Sequence, residues 1–427
     1  MDDLISAIRG WNPWWILAWK FPPTINREIT EKIVTVLKLT HIKDIIGIRR
    51  SGKSTVMTQL IESRIKGGNA PDSMILLNFE DPVIKMASFT DLQNTIFLIN
   101  PNIDFLFLDE IQEKPGWEQW VRTIYDTKRF DAIFISGSSA SLLTAEIGRV
   151  LSGRHLSFVL YPFSFGEYLH FYQWTDFNIA YISKELARVN HYLEKYLLNG
   201  GFPEVVIQEE SHQRRILTEL FMDIIFRDII ARHPADADKV QALAIYFLTN
   251  WTRTFSYNKI ASALNLHVET VEKYLSYMEE AFLVFILNRF AYKLRTQYRE
   301  EKKIYVIDAG LRNYIAFQTT KDHGKSAENA VFLELKRREQ EIYYWKEGNH
   351  EVDFVITLGA EVKELIQVVW DLKEESTRKR EIDGIIAAAK EFKIDQGTVI
   401  TFNMESEETI EGIRIRYVPL AVWLLNS

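Results

Sequence analysis

A short glycine-rich stretch constrains the fold of this chain more than any other feature. It reads Gly47-Ile48-Arg49-Arg50-Ser51-Gly52-Lys53-Ser54-Thr55. The pattern G-x-x-x-x-G-K-[ST] lets the backbone curl so that its N–H groups face phosphate oxygens. Apolar residues precede the stretch, and apolar residues at helical spacing follow it, which predicts a strand, a tight loop and a helix in that order.

This stretch, called the phosphate loop below, predicts a binding site for ATP and Mg²⁺. Lys53 supplies a positive charge for the β and γ phosphates, and Ser54 offers a hydroxyl to Mg²⁺. The following helix turns its positive end toward the anion. The predicted nucleotide contacts are Gly47, Arg49, Arg50, Ser51, Gly52, Lys53, Ser54 and Thr55. A glycine turn before an ordinary helix is the alternative, and the flanking apolar pattern argues against it.

A strand that ends in two carboxylates predicts the second half of this site. Residues 105–108 read Phe-Leu-Phe-Leu, a pattern typical of a buried parallel strand, and Asp109 and Glu110 follow directly. Asp109 would hold Mg²⁺ through water, and Glu110 would orient or deprotonate the attacking water. An exposed acidic strand end is the alternative, which the upstream phosphate loop disfavours.

Two further groups are candidates for contact with the γ-phosphate. A strand over 132–135 leads into a serine-rich turn, where Ser138 is the first choice for a sensor and Ser136 the reserve; a plain turn is the alternative. Of the arginines that follow, Arg149 and Arg154, the second is the candidate for a finger that stabilises transferred charge, often across a subunit boundary. A merely solvated surface arginine is the alternative.

Length and periodicity predict a multidomain α/β protein. The chain has 427 residues, too many for one ordinary core. Short apolar strands at 44–47, 74–79, 104–108 and 132–135 alternate with amphipathic helices, which is typical of a parallel sheet. We expect an N-terminal segment at 1–26, a P-loop ATPase domain at 27–175, a helical lid at 176–250, a winged helix at 251–310 and a small α/β domain at 311–427.

Composition limits the protein class. The chain has no cysteine, an acidic amino terminus and no apolar run near the roughly 18 residues that span a bilayer. We therefore expect a cytoplasmic protein without a membrane partner. The net charge of −7 means that any contact with nucleic acid must come from a local basic patch.

Residues 256–287 predict a helix-turn-helix, and residues 285–306 could form its wing. The second helix carries Glu269, Glu272, Glu279 and Glu280 against Lys273. Such a helix is a poor match for DNA phosphates. The segment 289–303 instead gathers Arg289, Lys293, Arg295, Arg299, Lys302 and Lys303. DNA binding through this basic wing is the prediction, and a winged helix used only for packing is the alternative.

Several motifs together resemble the predicted AAA+ ATPases common in archaea and bacteria. They are Trp11-Asn12-Pro13-Trp14-Trp15, the phosphate loop, Asn78-Phe79-Glu80-Asp81, Leu108-Asp109-Glu110-Ile111-Gln112, Gly137-Ser138-Ser139 and Gly200-Gly201-Phe202-Pro203. The resemblance implies ATP binding by an AAA+ module, followed by a helical lid, a winged helix and a nuclease-like C-terminal domain.

The carboxyl-terminal part looks like the RecB-like branch of the PD-(D/E)xK nuclease fold. A helix over 327–338 precedes strands over 342–345, 352–356 and 365–370. Glu328 and Asp353 match the first two acidic positions of that branch, but Gln367-Val368-Val369 stands where Glu-x-Lys is expected. Glu351, Lys346 and Lys363 are candidates to compensate. The resemblance therefore implies a degenerate site with little or no cutting activity.

The functional prediction is an ATPase that uses ATP and Mg²⁺ to drive a conformational change and acts on DNA. One alternative is a nucleotide-dependent switch that binds a protein partner, which the acidic helix and the net charge favour. The other is an ATP-controlled nuclease. An assembly of several copies also remains open, because the finger arginine can act across a subunit boundary.

Overall fold

The computed structural model describes residues 2–138, 151–292, 300–316 and 322–426. The chain divides into two compact units, Met1–Tyr161 and Pro162–Ser427. No helix within the described ranges is long and apolar enough to cross a membrane. The finer domain boundaries expected from the sequence stay predictions.

The first unit is a parallel sheet flanked by helices. Its elements are α1 (Asp2–Trp11), α2 (Glu28–Thr35), β1 (Ile42–Ile46), α3 (Lys53–Lys66), β2 (Met74–Asn78), α4 (Pro82–Met86), α5 (Phe89–Ile99), β3 (Phe105–Asp109), α6 (Trp117–Asp126), β4 (Ala132–Gly137) and β5 (His155–Val159). The five strands lie in the order β2-β3-β4-β1-β5, and all pair in parallel. The predicted P-loop sheet is therefore confirmed.

The strand order places the site at one edge of this sheet. Because β1 to β4 are parallel, their carboxyl ends meet there, and the phosphate loop joins the end of β1 to the start of α3. Strands β1 to β4 are buried along their whole length, which is why continuous apolar runs revealed them. Strand β5 is a half-buried edge strand with the sequence His-Leu-Ser-Phe-Val, and its pattern predicted no strand.

The second unit begins with helices. These are α7 (Phe165–Phe171), α8 (Ile179–Lys184), α9 (Leu186–Asn199), α10 (Pro203–Val206), α11 (Glu210–Asp223), a π-helix (Ile224–Ile230) and α12 (Ala237–Thr249). A small mixed segment follows, with β6 (Thr254–Phe255), α13 (Tyr257–Leu264), α14 (Val268–Glu280), β7 (Val284–Leu287) and β8 (Lys302–Val306). Its three strands form an antiparallel sheet in the order β6-β8-β7. The predicted helix pair at 256–287 is present as α13 and α14.

The carboxyl-terminal part of the second unit carries a six-stranded sheet. Its elements are α15 (Ala309–Ile315), α16 (His323–Arg337), β9 (Glu341–Glu347), β10 (His350–Leu358), β11 (Glu361–Val369), α17 (Glu375–Phe392), β12 (Gln396–Thr401), β13 (Ser406–Ile410), β14 (Ile413–Pro419) and α18 (Leu420–Leu425). The strand order is β13-β14-β12-β11-β10-β9. The inner pairs β11/β12 and β12/β14 are parallel, and the outer pairs are antiparallel.

Candidate functional site

The phosphate loop adopts a backbone that its glycines make possible. Gly47 has φ +154°, and a Cβ added there would lie 2.2 Å from the carbonyl oxygen of Leu160. Gly52 has φ +100° and precedes the first residue of α3. Arg50 also has a positive φ, 61°. Glycine is needed at position 47 because a side chain would push β5 away from β1.

Lys53 is drawn inward at the mouth of this loop. Its side chain is 3% exposed, and its ammonium donates to the carbonyl oxygens of Gly47 and Ile48, at 3.2 Å each. The same ammonium lies 3.7 Å from the Glu110 carboxylate. A phosphate bound in the loop would replace the two loop carbonyls and the Glu110 carboxylate as the partner of the Lys53 ammonium.

Arg27 holds the loop from the side, a role that nothing in the sequence pattern indicated. This buried guanidinium donates to the carbonyl oxygen of Ser51 and to that of Tyr161, at 2.6 Å each. Its backbone N–H donates to Gln59 of α3 at 3.3 Å. The arginine thus fixes the middle of the phosphate loop to the chain that leaves β5.

The two groups assigned to Mg²⁺ lie in direct contact. The Ser54 hydroxyl donates to Asp109 Oδ2 at 2.7 Å, and Asn78 Nδ2 lies 3.4 Å from the same oxygen. Burial, and next the charge of Glu110, raise the pKa of Asp109. A hydroxyl and a carboxylate this close fit one Mg²⁺, which favours oxygen ligands and would neutralise phosphate charge when bound.

Ser136, the reserve choice for the sensor, contacts the carboxylates of the strand end. Its hydroxyl donates to Asp109 Oδ1, and the Glu110 N–H donates to the Ser136 oxygen at 3.0 Å. Ser138 follows the end of β4 as a buried residue. The sensor role, with Ser138 as first choice and Ser136 as reserve, stays a prediction.

Glu110 occupies an unusual backbone position that sets the direction of its side chain. Its φ and ψ are 50° and 45°, in the left-handed region, and a 3-10 turn over Ile111–Glu113 follows. One carboxylate oxygen accepts a hydrogen bond from Gln112 Nε2, and the other faces Lys53. The predicted base therefore contacts the side chains of Gln112 and Lys53.

A second acidic side chain reaches the site from the end of β2. Glu80 lies 4.0 Å from the guanidinium of Arg49 in the phosphate loop. Burial raises the pKa of Glu80, and the nearby carboxylate of Glu110 raises it further. Arg49 of the phosphate loop thus has an acidic partner, Glu80, to which the sequence analysis assigned no role.

Arg154 does not join the phosphate site of its own chain. Its carbonyl oxygen accepts from the N–H of Ile42, at the amino end of β1, and its guanidinium pairs with Asp126 at 3.2 Å. These contacts lie at the sheet edge opposite the phosphate loop. These contacts give no support to a finger role within the chain, and the finger role of Arg154, including one across a subunit boundary, stays a prediction. Arg149 lies outside the described residues.

The second unit gathers the predicted acidic residues of the carboxyl-terminal part around one lysine. The ammonium of Lys303, on β8, lies 2.9 Å from Asp353, 2.8 Å from Glu351 and 3.3 Å from Glu328. Its side chain is 3% exposed. Burial lowers the pKa of Lys303, but the carboxylates, led by that of Asp353, raise it well above its usual value overall. The lysine therefore stays charged, and we call this group the Lys303 cluster.

Gln367 joins the Lys303 cluster as a hydrogen-bonding side chain. Its Oε1 accepts from the N–H of Asp353 at 3.0 Å, and its Nε2 donates to Glu381 of α17. Lys346 reaches Glu351 at 3.3 Å, whereas Lys363 pairs with Glu361. Among the described residues, no group of three or more His, Asp or Glu has a geometry that could hold a metal ion.

The basic wing is weaker than its sequence suggested. Lys303 belongs to the buried cluster, so the prediction that it faces DNA is wrong. Arg289 pairs with Glu300 at 2.9 Å, and Lys302 lies over the ring of Tyr257. Lys293, Arg295 and Arg299 lie outside the described residues.

The acidic face of α14 also differs from the prediction. Glu269 and Glu272 are exposed, but Glu279 and Glu280 are half-buried. Burial raises the pKa of Glu279 to about 7, and Glu280 lies 3.2 Å from His233. The exposed face of α14 thus carries fewer negative charges than the number of its glutamates implied.

Three segments of the chain match known protein domains. An AAA domain matches residues 40–169. Two domains of unknown function, DUF8612 and DUF4143, match residues 190–322 and 323–423. An uncharacterized protein of Methanocaldococcus jannaschii is 36% identical over 423 residues, which cover 94% of this chain and 91% of that protein. An uncharacterized protein of Haemophilus influenzae is 28% identical over 413 residues, 94% of this chain and 99% of that protein.

The solved structures with similar folds are distant. The Aeropyrum pernix ORC1 protein in complex with DNA has a TM-score of 0.31 and 14% identity, and the match covers 71% of this chain and 95% of that one. Cdc6p from Pyrobaculum aerophilum has a TM-score of 0.31 and 10% identity, with 77% and 98% covered.

Proposed function

Because this chain belongs to one family with the Methanocaldococcus jannaschii protein and contains an AAA domain, we propose that it binds ATP with Mg²⁺ and hydrolyses the γ-phosphate. Lys53 would bind the β and γ phosphates, and Ser54 and Asp109 would hold the metal ion. Glu110 would act as the base for the attacking water.

One observation supports this proposal above the others. The hydroxyl of Ser54, the carboxylate of Asp109 and the ammonium of Lys53 converge at the carboxyl edge of the sheet, beside the backbone N–H groups of the phosphate loop. That set supplies the charge and the oxygen ligands that phosphoryl transfer requires. The energy of hydrolysis would drive a conformational change in the rest of the chain.

Titration with a fluorescent ATP analogue tests the nucleotide site. Lys53→Ala should weaken binding, because it removes the cation that faces the phosphates. Lys66→Ala, at the exposed end of the same helix, is the matched control and should bind like the unaltered protein. Equal affinities for all three proteins would reject the site.

DNA is the proposed partner of the second unit. The support is the element order of residues 257–306, in which two helices are followed by a strand pair as in a winged helix. Arg289 and Lys302 are engaged within the chain, so the proposed DNA contact depends on residues 293–299. A switch that binds a protein partner is the rival proposal, favoured by those internal contacts.

The carboxyl-terminal sheet is proposed to be a degenerate nuclease fold that does not cut DNA. The support is the Lys303 cluster, in which an ammonium sits among the carboxylates that would otherwise bind a metal ion. The neutral Gln367 is a weaker ligand for a hard cation than a carboxylate. The cluster would then join β8 to the six-stranded sheet instead of performing chemistry.

A further inference from the structure

The side chain of Gln112 lies against the catalytic carboxylate without any role assigned to it. Its Nε2 donates a hydrogen bond to Glu110 Oε2. Its Oε1 is buried and has no hydrogen-bond partner among the residues that the structure describes. A buried amide oxygen without a partner costs free energy, so it persists where another group can satisfy it.

The backbone explains how two residues this close in sequence meet. On a regular strand, residues two apart share a face but do not fold back on each other. Here Glu110 is left-handed, with φ 50°, and the 3-10 turn over Ile111–Glu113 carries Gln112 back toward it. The Glu113 N–H bonds the Glu110 carbonyl at 3.0 Å and closes this turn. A left-handed glutamate costs about 1 kcal/mol or more, so the contact is maintained against strain.

The two oxygens of Glu110 have different partners. Oε1 faces the Lys53 ammonium at 3.7 Å, while Oε2 belongs to Gln112. Phosphates compete for Lys53, because an ammonium prefers a dianionic neighbour to a distant carboxylate. When they bind, the Lys53 ammonium would move from Oε1 toward the phosphates, whereas the hydrogen bond from Gln112 to Oε2 would remain.

We propose that Gln112 is the positioning residue of the base: it holds Glu110 by one oxygen while ATP releases the other from Lys53. This inference rests on the proposed ATPase function. The side-chain oxygen Oε1 of Gln112 then accepts a hydrogen bond from the attacking water, which fixes the water between the Gln112 amide and the Glu110 carboxylate. The proton moves from that water to Glu110 Oε1 as the oxygen bonds to the γ-phosphorus and the bond to ADP breaks.

Turnover and binding measurements on full-length variants test this role. Gln112→Ala should lower kcat by about ten- to a hundredfold, because a base displaced by about 1 Å loses that much, and should leave nucleotide affinity within about twofold. Gln112→Glu places a second carboxylate beside Glu110, so the acid limb of the kcat–pH profile should move to higher pH. Gln119→Ala, on the exposed face of α6, is the matched control and should behave like the unaltered protein.

The outcomes separate this inference from the ATPase proposal. Unaltered kcat and pH profile in Gln112→Ala, with Glu110→Gln inactive, would overturn the role of Gln112 alone. Full turnover by Glu110→Gln would overturn the base itself. If the unaltered protein binds ATP but does not turn it over, the side-chain amide resonances of Gln112 test the contact with Glu110, and they should shift in Glu110→Gln. Gln112 resonances that are unchanged in Glu110→Gln would contradict the contact between these two side chains.

Discussion

At the scale of single residues, the site includes side chains outside the phosphate loop and outside the acidic end of β3. The motif predicted Lys53, Ser54, Asp109 and Glu110 because phosphate chemistry demands those residue types at that spacing. Arg27 acts through contacts with segments far from it in sequence, and no local pattern indicates such a partner. Sequence therefore predicts the groups that touch phosphate better than the groups that hold them.

Ser136 provides a test at this scale. Ser136→Ala removes the hydroxyl that donates to Asp109 and accepts from the Glu110 N–H. A hydrogen bond to a charged group contributes about 1.5–3 kcal/mol, so we expect kcat to fall by about tenfold or more. Ser138→Ala is the control and should reduce kcat less. Steady-state ATP turnover checks both variants, and the reverse order would favour Ser138 as the sensor.

At the scale of elements, apolar runs revealed the buried strands but not the edge strand β5. Strands β1 to β4 matched the predictions within a few residues because each is buried on both faces. Among the described residues, strand β5 pairs with β1 at the edge of the sheet, and it is half-buried with one exposed residue, so its composition is ambiguous. The Lys303 cluster was likewise hidden, because Lys303 lies on β8 and seemed from the sequence to belong to a basic surface.

The stability of β8 against the six-stranded sheet depends on Lys303. Lys303→Met leaves Asp353, Glu351 and Glu328 without their shared ammonium, and breaking one partner of a buried ion pair costs about 3–5 kcal/mol. Lys302→Met, on the opposite face of the same strand, is the matched control and should cost about 1 kcal/mol or less. Calorimetric unfolding of the two variants checks this. Equal shifts in the melting temperature would mean that the cluster contributes little.

The same cluster predicts an absence of cutting. Purified protein with ATP and Mg²⁺ or Mn²⁺ should leave single- and double-stranded DNA intact, because Lys303 takes the carboxylate oxygens that a metal ion needs. Gel electrophoresis after prolonged incubation checks this. Cleavage that disappears in Asp353→Ala would show that the site is an active nuclease.

At the scale of the whole molecule, the sequence predicted an ATPase unit followed by a longer second part, but charge counts were a poor guide to the partner. Of the basic wing residues that the structure describes, one is buried and two are engaged within the chain. Net charge and residue lists cannot distinguish an exposed cation from one held by a carboxylate, since both look alike in sequence.

DNA binding is therefore best tested through its salt dependence. Replacing Arg295 and Arg299 together by alanine should weaken binding to all sequences alike and reduce the salt slope by about two units, about one for each lost phosphate contact. Arg215→Ala, on the exposed face of α11, is the control. Unchanged affinity and slope in the double variant would favour the switch that binds a protein partner.

The most direct test of the ATPase proposal compares ATP hydrolysis with ATP binding in the unaltered protein and in Glu110→Gln. The substitution removes the base and leaves Ser54 and Asp109 in contact, so nucleotide affinity should stay close to that of the unaltered protein. Turnover should fall by about a hundredfold or more, the usual contribution of a general base. Hydrolysis by Glu110→Gln at the unaltered rate, or no Mg²⁺-dependent hydrolysis by the unaltered protein, would contradict the account.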